Sequence, residues 1–296
     1  MLLRLAPALF VVLWSSGFIA AKLGRNGAEP FTFLSIRFLI VLAIMVPIGA
    51  WLASRRLTRG ERLHAAVAGS LIHGTYLGGV FFAVKHGMPA GVVALIVSLQ
   101  PVATAVASGP LLGETVTRRH WLGLVVGLAG SALVLAPRLD LAASGITSAT
   151  IAAAVLALAG ITAGTIYQKR FASRIGIGAG AIWQYLGALA VTGVGSLALE
   201  TRAVVWTGEF VVALAWLVLV LSVGAISLLM LLIRESAVSR VTGLFYLVPA
   251  TTALMAWALF GETLGIAQLA GMLLVTIAVL LIRPAAGAGA GSRRSP

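Results

Sequence analysis

The residues able to do chemistry in this chain are few, and they sit in apolar surroundings. His73 is followed at three, four and seven residues by Tyr76, Leu77 and Val80, which puts all four on one helical face. An ionisable group in such a run either bonds, neutral, to a neighbouring helix or contacts a solute. A histidine can also titrate near neutrality. Trp14, Gln100, Tyr167 and Tyr246 are further polar or aromatic groups inside apolar runs. Aromatic walls suit an apolar or aromatic solute; packing between helices is the alternative for each. Serine and threonine, as at Ser15, Ser98, Thr104, Thr165 and Thr252, more often bond the backbone or a neighbouring helix.

Two prolines stand out by position. Pro101 and Pro249 are each the twelfth residue of a 23-residue apolar run. Proline has no N–H, so the carbonyls of Val97 and Phe245 lose their usual helical donor. Such carbonyls should face protein or a watery cavity. Both prolines are hinge candidates, with a static kink as the alternative. Arg37 stands about 9 Å into its run, where it snorkels to the interface or bonds another helix, with direct contact to a carboxylate as the lesser alternative.

The acids limit the chemistry further. All eight (Glu29, Glu61, Glu114, Asp140, Glu200, Glu209, Glu235 and Glu262) lie near run ends or between runs. A magnesium-dependent transferase needs clustered acids, and a proton or cation pump usually holds one at mid-membrane. Glu114 and Glu262 are expected to cap the helices that follow them. With no cysteine, disulfides and thiol catalysis are excluded. No Walker-type loop is present for ATP, nor a selectivity loop or charged ring for a channel. The reading is not an enzyme; neither metal nor cofactor is expected.

The elements that must position these residues are membrane helices. Of 296 residues, 60% are hydrophobic and 10% charged, against about 45–50% and 25% in ordinary domains. Ten apolar runs cover residues 7–21, 31–52, 65–84, 90–112, 121–136, 150–167, 181–199, 211–233, 238–260 and 265–282. They are too long and too uniformly apolar for barrel strands. The first is read as a retained helix rather than a signal peptide. Trp51, Trp121 and Trp206 near run ends suit the interface.

Net charge is +13, which would suggest nucleic acid in a soluble protein. With the N-terminus inside, fifteen basic residues fall on inner segments, among them Arg4, Arg55, Arg56, Arg59, Arg62, Arg118, Lys169 and Arg234. Five (Lys22, Arg25, Lys85, Arg138 and Arg202) fall outside. That bias places both termini in the cytoplasm and accounts for the charge without nucleic acid. The partner surface is the lipid bilayer.

The chain also matches itself. At an offset of 148, Leu99-Gln100-Pro101 meets Leu247-Val248-Pro249, Gly113-Glu114-Thr115 meets Gly261-Glu262-Thr263, and Gly123 meets Gly271. At 147, Gly17 and Lys22 meet Gly164 and Lys169, and Arg37 meets Gln184. Five helices per half is an odd number, so the second half enters from the opposite side. Inverted repeats of this kind build many secondary transporters.

These residues carry a family likeness. The Trp14-Ser15-Ser16-Gly17-Phe18 opening and the repeated Pro and Gly-Glu-Thr resemble the drug/metabolite transporter superfamily. Within it the chain is similar to EamA-type ten-helix exporters, and most to YddG-type exporters of aromatic and other amino acids. The resemblance implies an all-α membrane protein of ten transmembrane helices in two inverted five-helix repeats, residues 1–140 and 141–284. A disordered tail, 285–296, would follow. It further implies a central cavity lined by helices 1, 3, 4, 6, 8 and 9. The expected substrate-binding residues are then Trp14, His73, Tyr76, Gln100, Tyr167 and Tyr246.

The function expected is export of neutral amino acids or similar small metabolites across the inner membrane by alternating access. With no mid-membrane acid, facilitated diffusion is expected. The alternative is a nucleotide-sugar or phosphate-ester exchanger, although a polyanion calls for more than one interior cation. A membrane-embedded transferase is a remoter reading.

Overall fold

A computed structural model describes residues 2–24, 27–52 and 57–282. The expected tail 285–296 and the loop arginines Arg25, Arg55 and Arg56 lie outside these residues, as do the side chains of Arg4, Lys22 and Trp51.

The chain runs through α1 (Leu2–Gly24), α2 (Pro30–Leu52), α3 (Arg59–Lys85), α4 (Ala90–Leu112) and α5 (Arg118–Leu135). It continues through α6 (Ser148–Ala172), α7 (Ile177–Leu199), α8 (Gly208–Glu235), α9 (Val238–Phe260) and α10 (Ile266–Ile282). Among the described residues no β-strand forms; one isolated antiparallel bridge joins Ala28 and Val204. Among the described residues eight helices, α2 to α9, are long and apolar enough to cross a membrane, and α1 and α10 add shorter apolar stretches, Leu5–Ala21 and Ile266–Ile282. Apolar side chains such as Val125, Leu197, Leu259 and Leu273 point outward, each more than 60% exposed. Surfaces of that kind need lipid rather than water.

Local sequence explains the helix ends. Thr58, Thr117, Thr147 and Thr207 accept a backbone N–H of the first turn that each precedes. At Thr58 the Glu61 carboxylate returns a bond to the cap backbone, which closes a capping box. Gly113 and Gly261 end α4 and α9 at φ of 69° and 66°, left-handed backbone that favours glycine.

Several rods are not regular throughout. Ser70–Thr75 of α3, Leu217–Ala225 of α8 and Gln168–Ala172 at the end of α6 widen into π-helix. A break at Ser98 and Leu99 interrupts α4, and a 3₁₀ turn, Leu244–Tyr246, interrupts α9. The α3 and α8 irregularities match each other at an offset near 148, and so do those of α4 and α9. A widened turn releases carbonyls from the helical ladder. In α3 the Thr75 hydroxyl donates to the Ser70 carbonyl at 3.0 Å. In α8 the Tyr185 hydroxyl donates to the Ser222 carbonyl at 2.6 Å.

Glycine sets the tightest crossings. A Cβ at Gly69 would fall on the Gln184 carbonyl, and one at Gly187 on the Ala66 carbonyl, so α3 and α7 touch backbone to backbone. Gly17 of α1 lies against Leu221 in the widened turn of α8. Gly164 of α6 lies against Ile72 in the widened turn of α3.

Carboxylates tie the helix ends across the chain. Glu114 accepts from the backbone N–H groups of Val238 and Ser239 at 2.7 and 3.1 Å, and from the Ser239 hydroxyl at 2.8 Å. It therefore caps α9, not the following α5 that sequence position suggested. The reason is spatial: the end of α4 lies beside the start of α9. Glu262 instead pairs with Arg138 at 2.6 Å. Glu200 accepts from the Phe31 and Thr32 N–H groups at 2.7 Å each, at the start of α2. Glu29 accepts from Thr201, whose hydroxyl holds the carboxyl below its ordinary pKa.

Candidate functional site

The two widened turns face a cavity of about 60 Å³. Trp14 and Phe18 of α1, Arg37 of α2, His73 and Tyr76 of α3, and Leu221 of α8 line it. These walls are mainly apolar, with few polar groups, as in most small-ligand sites. Such sites usually measure about 300–1,000 Å³. A cavity this small admits a metabolite only when the surrounding helices separate.

Arg37 is 4% exposed. Its Nε donates to Ser222 Oγ at 3.0 Å, across from α2 to the widened turn of α8. Of the sequence expectations for this arginine, the interhelical bond is the one observed. Ser222 thus holds Arg37 by its hydroxyl and Tyr185 by its carbonyl.

His73 is 2% exposed and stacks on Tyr185, ring centroids 5.2 Å apart and planes inclined by 19°. Its Nε2 lies 3.4 Å from Gln184 Oε1, a bond that needs the proton on Nε2. Gln184 Nε2 in turn donates to Gln168 Oε1 at 3.0 Å. Gln168, Gln184 and Met230 line a smaller recess with Arg234 near its rim. Trp14 is held by Phe10 and Phe245, centroids 5.3 and 5.2 Å away.

The structure brings together three of the six expected binding residues, Trp14, His73 and Tyr76. The other three lie elsewhere. Tyr246 is fully buried against Gly127, in a separate cluster with Ala105 and Val275, and its hydroxyl has no partner. Gln100 is buried with Nε2 unpartnered. The Tyr167 hydroxyl meets His64 Nδ1 at 2.8 Å, near Phe171. The cavity walls come from α1, α2, α3 and α8; the resemblance implied α1, α3 and α8, but also α4, α6 and α9, and it did not imply α2. Pro101 is the second residue of the segment Gln100–Leu112, just past the α4 break. Pro249 is the third residue of Leu247–Phe260, just past the 3₁₀ turn.

Sequence reasoning did not single out Gln184, Tyr185 or Ser222 for the site. One signal was available: Gln184-Tyr185 stands 147 residues after Arg37-Phe38.

Many apolar helices around a mainly apolar cavity with a few buried polar groups define a multi-pass membrane protein. Residues 4–136 match the EamA-like transporter family. Residues 4–136 thus carry an EamA-like domain of the drug/metabolite transporter superfamily, and the relatives that match nearly the whole chain are transporters by name. It is 27% identical over 293 residues to the uncharacterized inner membrane transporter YedA of Escherichia coli K12, covering 95% of this chain and 91% of that protein. It is 26% identical over 279 residues to a probable amino-acid metabolite efflux pump of Salmonella typhimurium, covering 90% of each. The uncharacterized transporter YvbV of Bacillus subtilis is 27% identical, covering 93% of this chain and 89% of that one. A solved crystal structure superposes with a TM-score of 0.78 at 20% identity, over 95% of this chain and 96% of the other, which is a likeness of fold.

Proposed function

We propose that the chain exports neutral amino acids, aromatic ones included, or similar small metabolites from the cytoplasm across the inner membrane. Two inverted five-helix halves, residues 1–140 and 141–284, alternate access to the cavity between α1, α2, α3 and α8. The observation that carries the reading is the convergence of Trp14, His73 and Tyr76 with Arg37 on one cavity. The matched irregularities of α3 with α8 and of α4 with α9 support the two halves. So do the paired crossings at Gly17 and Gly164. Widened and broken turns are where a helix bends with least loss of hydrogen bonding, which suits a rocking motion about Pro101 and Pro249. The name of the Salmonella relative points to the same class of cargo. A nucleotide sugar or phosphate ester fits less well, since among the described residues Arg37 is the one arginine or lysine lining the cavity.

The test is exchange in proteoliposomes. Purified protein is loaded with unlabelled amino acid, and entry of radiolabelled phenylalanine, leucine and a nucleotide sugar is followed. Saturable exchange of the amino acids is expected. Exchange of the nucleotide sugar alone would replace this reading with the phosphate-ester one.

A further inference from the structure

Arg37 is a charge without a countercharge. An arginine stays protonated in a protein, and an isolated buried charge is costly. All eight acids of the chain lie at helix ends or in loops, and none lines the cavity. Among the described residues no carboxylate forms an ion pair with Arg37. Among the described residues its hydrogen bond is Nε to Ser222 Oγ, and neither Nη group has an acceptor among them. The guanidinium nonetheless sits 4% exposed on the cavity wall, beside apolar and aromatic neighbours.

We infer that Arg37 is the carboxylate-binding residue of the transporter, with Ser222 as the residue that orients it. A planar guanidinium held at Nε presents its remaining N–H donors as a fork, which matches a carboxylate in a bidentate pair. One cation neutralises one carboxylate, so the cargo is a monocarboxylate. The same wall makes a second demand. Among the described residues it holds no acid to receive an ammonium group, and beside Arg37 it presents aliphatic side chains, the rings of Trp14, Phe18, Tyr76 and Phe81, and His73. The carboxylate is therefore the recognised group, and the α-amino group is dispensable. Aromatic acids that lack an amine belong among the ligands, while aromatic amines and amides do not. This rests on the proposed cargo class for its aromatic part and on Arg37 alone for its carboxylate part.

The probes are phenylalanine, phenylacetate, phenylalaninamide and phenethylamine. Binding is read from the thermal denaturation shift of the full-length protein in detergent, and exchange from proteoliposomes. Phenylalanine and phenylacetate are expected to bind, and the amide and the amine to bind roughly 10- to 100-fold more weakly. R37Q should erase that difference, and S222A should reduce it. If R37Q does not fold, R37K carries the test, because an ammonium cannot form the bidentate pair. Carboxylate binding equal to wild type in R37Q or, failing that, in R37K overturns the inference. So does an amide that binds as well as the acid. Arg37-dependent binding of phenylacetate without exchange of any amino acid would defeat the proposed function and leave the inference standing. Binding of neither acid would defeat both.

Discussion

Phe38 of α2 and Tyr185 of α7 lie with ring centroids 5.6 Å apart, and both flank His73, at 6.4 and 5.2 Å. They stand 147 residues apart, at corresponding positions of the proposed halves. A residue that touches its own counterpart lies close to the axis relating two repeats, where transporters place their cargo. His73→Ala is expected to leave Gln184 Oε1 unpaired and to cost about 1–3 kcal/mol of stability. Exchange should fall with it. His73→Gln keeps a donor and should recover the stability. Full recovery of exchange as well would assign His73 to packing. Tyr246→Phe is the contrast: it removes a buried hydroxyl with no partner, so exchange should persist and stability hold or rise.

Glu114 joins the end of α4 to the start of α9 through three hydrogen bonds. Removing an N-terminal cap costs about 0.5–2 kcal/mol. Glu114→Ala should therefore lower the thermal denaturation midpoint in detergent. Arg138→Ala breaks a half-exposed pair with Glu262, worth about 0–1 kcal/mol. Equal midpoints for the two variants would contradict the cap assignment.

The backbone contact between α3 and α7 predicts an order among glycines. Gly69→Ala and Gly187→Ala place a methyl against a carbonyl that cannot move without its helix. Overpacking of this kind costs about 1–3 kcal/mol. Gly17→Ala meets only the flexible end of Leu221, so its cost should be smaller. Gly193→Ala meets nothing within 4 Å and should be neutral or stabilising. Yields of monodisperse protein from the four variants check the order.

Sidedness follows from the basic residues. Arg59, the first residue of α3, and Asp140, in the connection after α5, are exposed at ends that the charge bias puts on opposite sides. The chain has no cysteine, so single-cysteine variants report cleanly. A membrane-impermeant maleimide added to intact cells should label Arg59→Cys poorly and Asp140→Cys well. The reverse pattern would invert the topology and make the proposed direction import.

Energy coupling is the boldest expectation. No acid lies mid-helix in α1 to α10, so no carboxylate is placed to carry a proton through the bilayer. Proteoliposomes with equal amino acid inside and out should show no net accumulation when a pH gradient is imposed. Sustained accumulation that disappears in a folded His73 variant would move the proton site to His73.

The chain's linear order already determined much. Run lengths and composition dictate membrane helices, because about 20 apolar residues in a row have no stable place in water. Threonine before a run and glycine after it set the ends at Thr58, Thr147, Gly113 and Gly261. The offset matches named both prolines, and Trp14, His73 and Tyr76 were legible as polar or aromatic breaks in apolar segments. Which helix faces meet was not legible. A helix that is apolar nearly all round, as α2 and α9 are, carries no stripe to show its inward side. Tyr246 and Gln100 therefore looked equivalent to Tyr76 in sequence, and only packing kept them off the cavity wall, with Tyr246 in another cluster. The same holds for the partners that act across distance. Arg37 meets Ser222 from 185 positions away, and Glu114 meets Val238 from 124. Pairs of that kind exist only once the rotation and crossing of the helices, set by close contacts such as Gly69 against Gln184, have been decided by the fold.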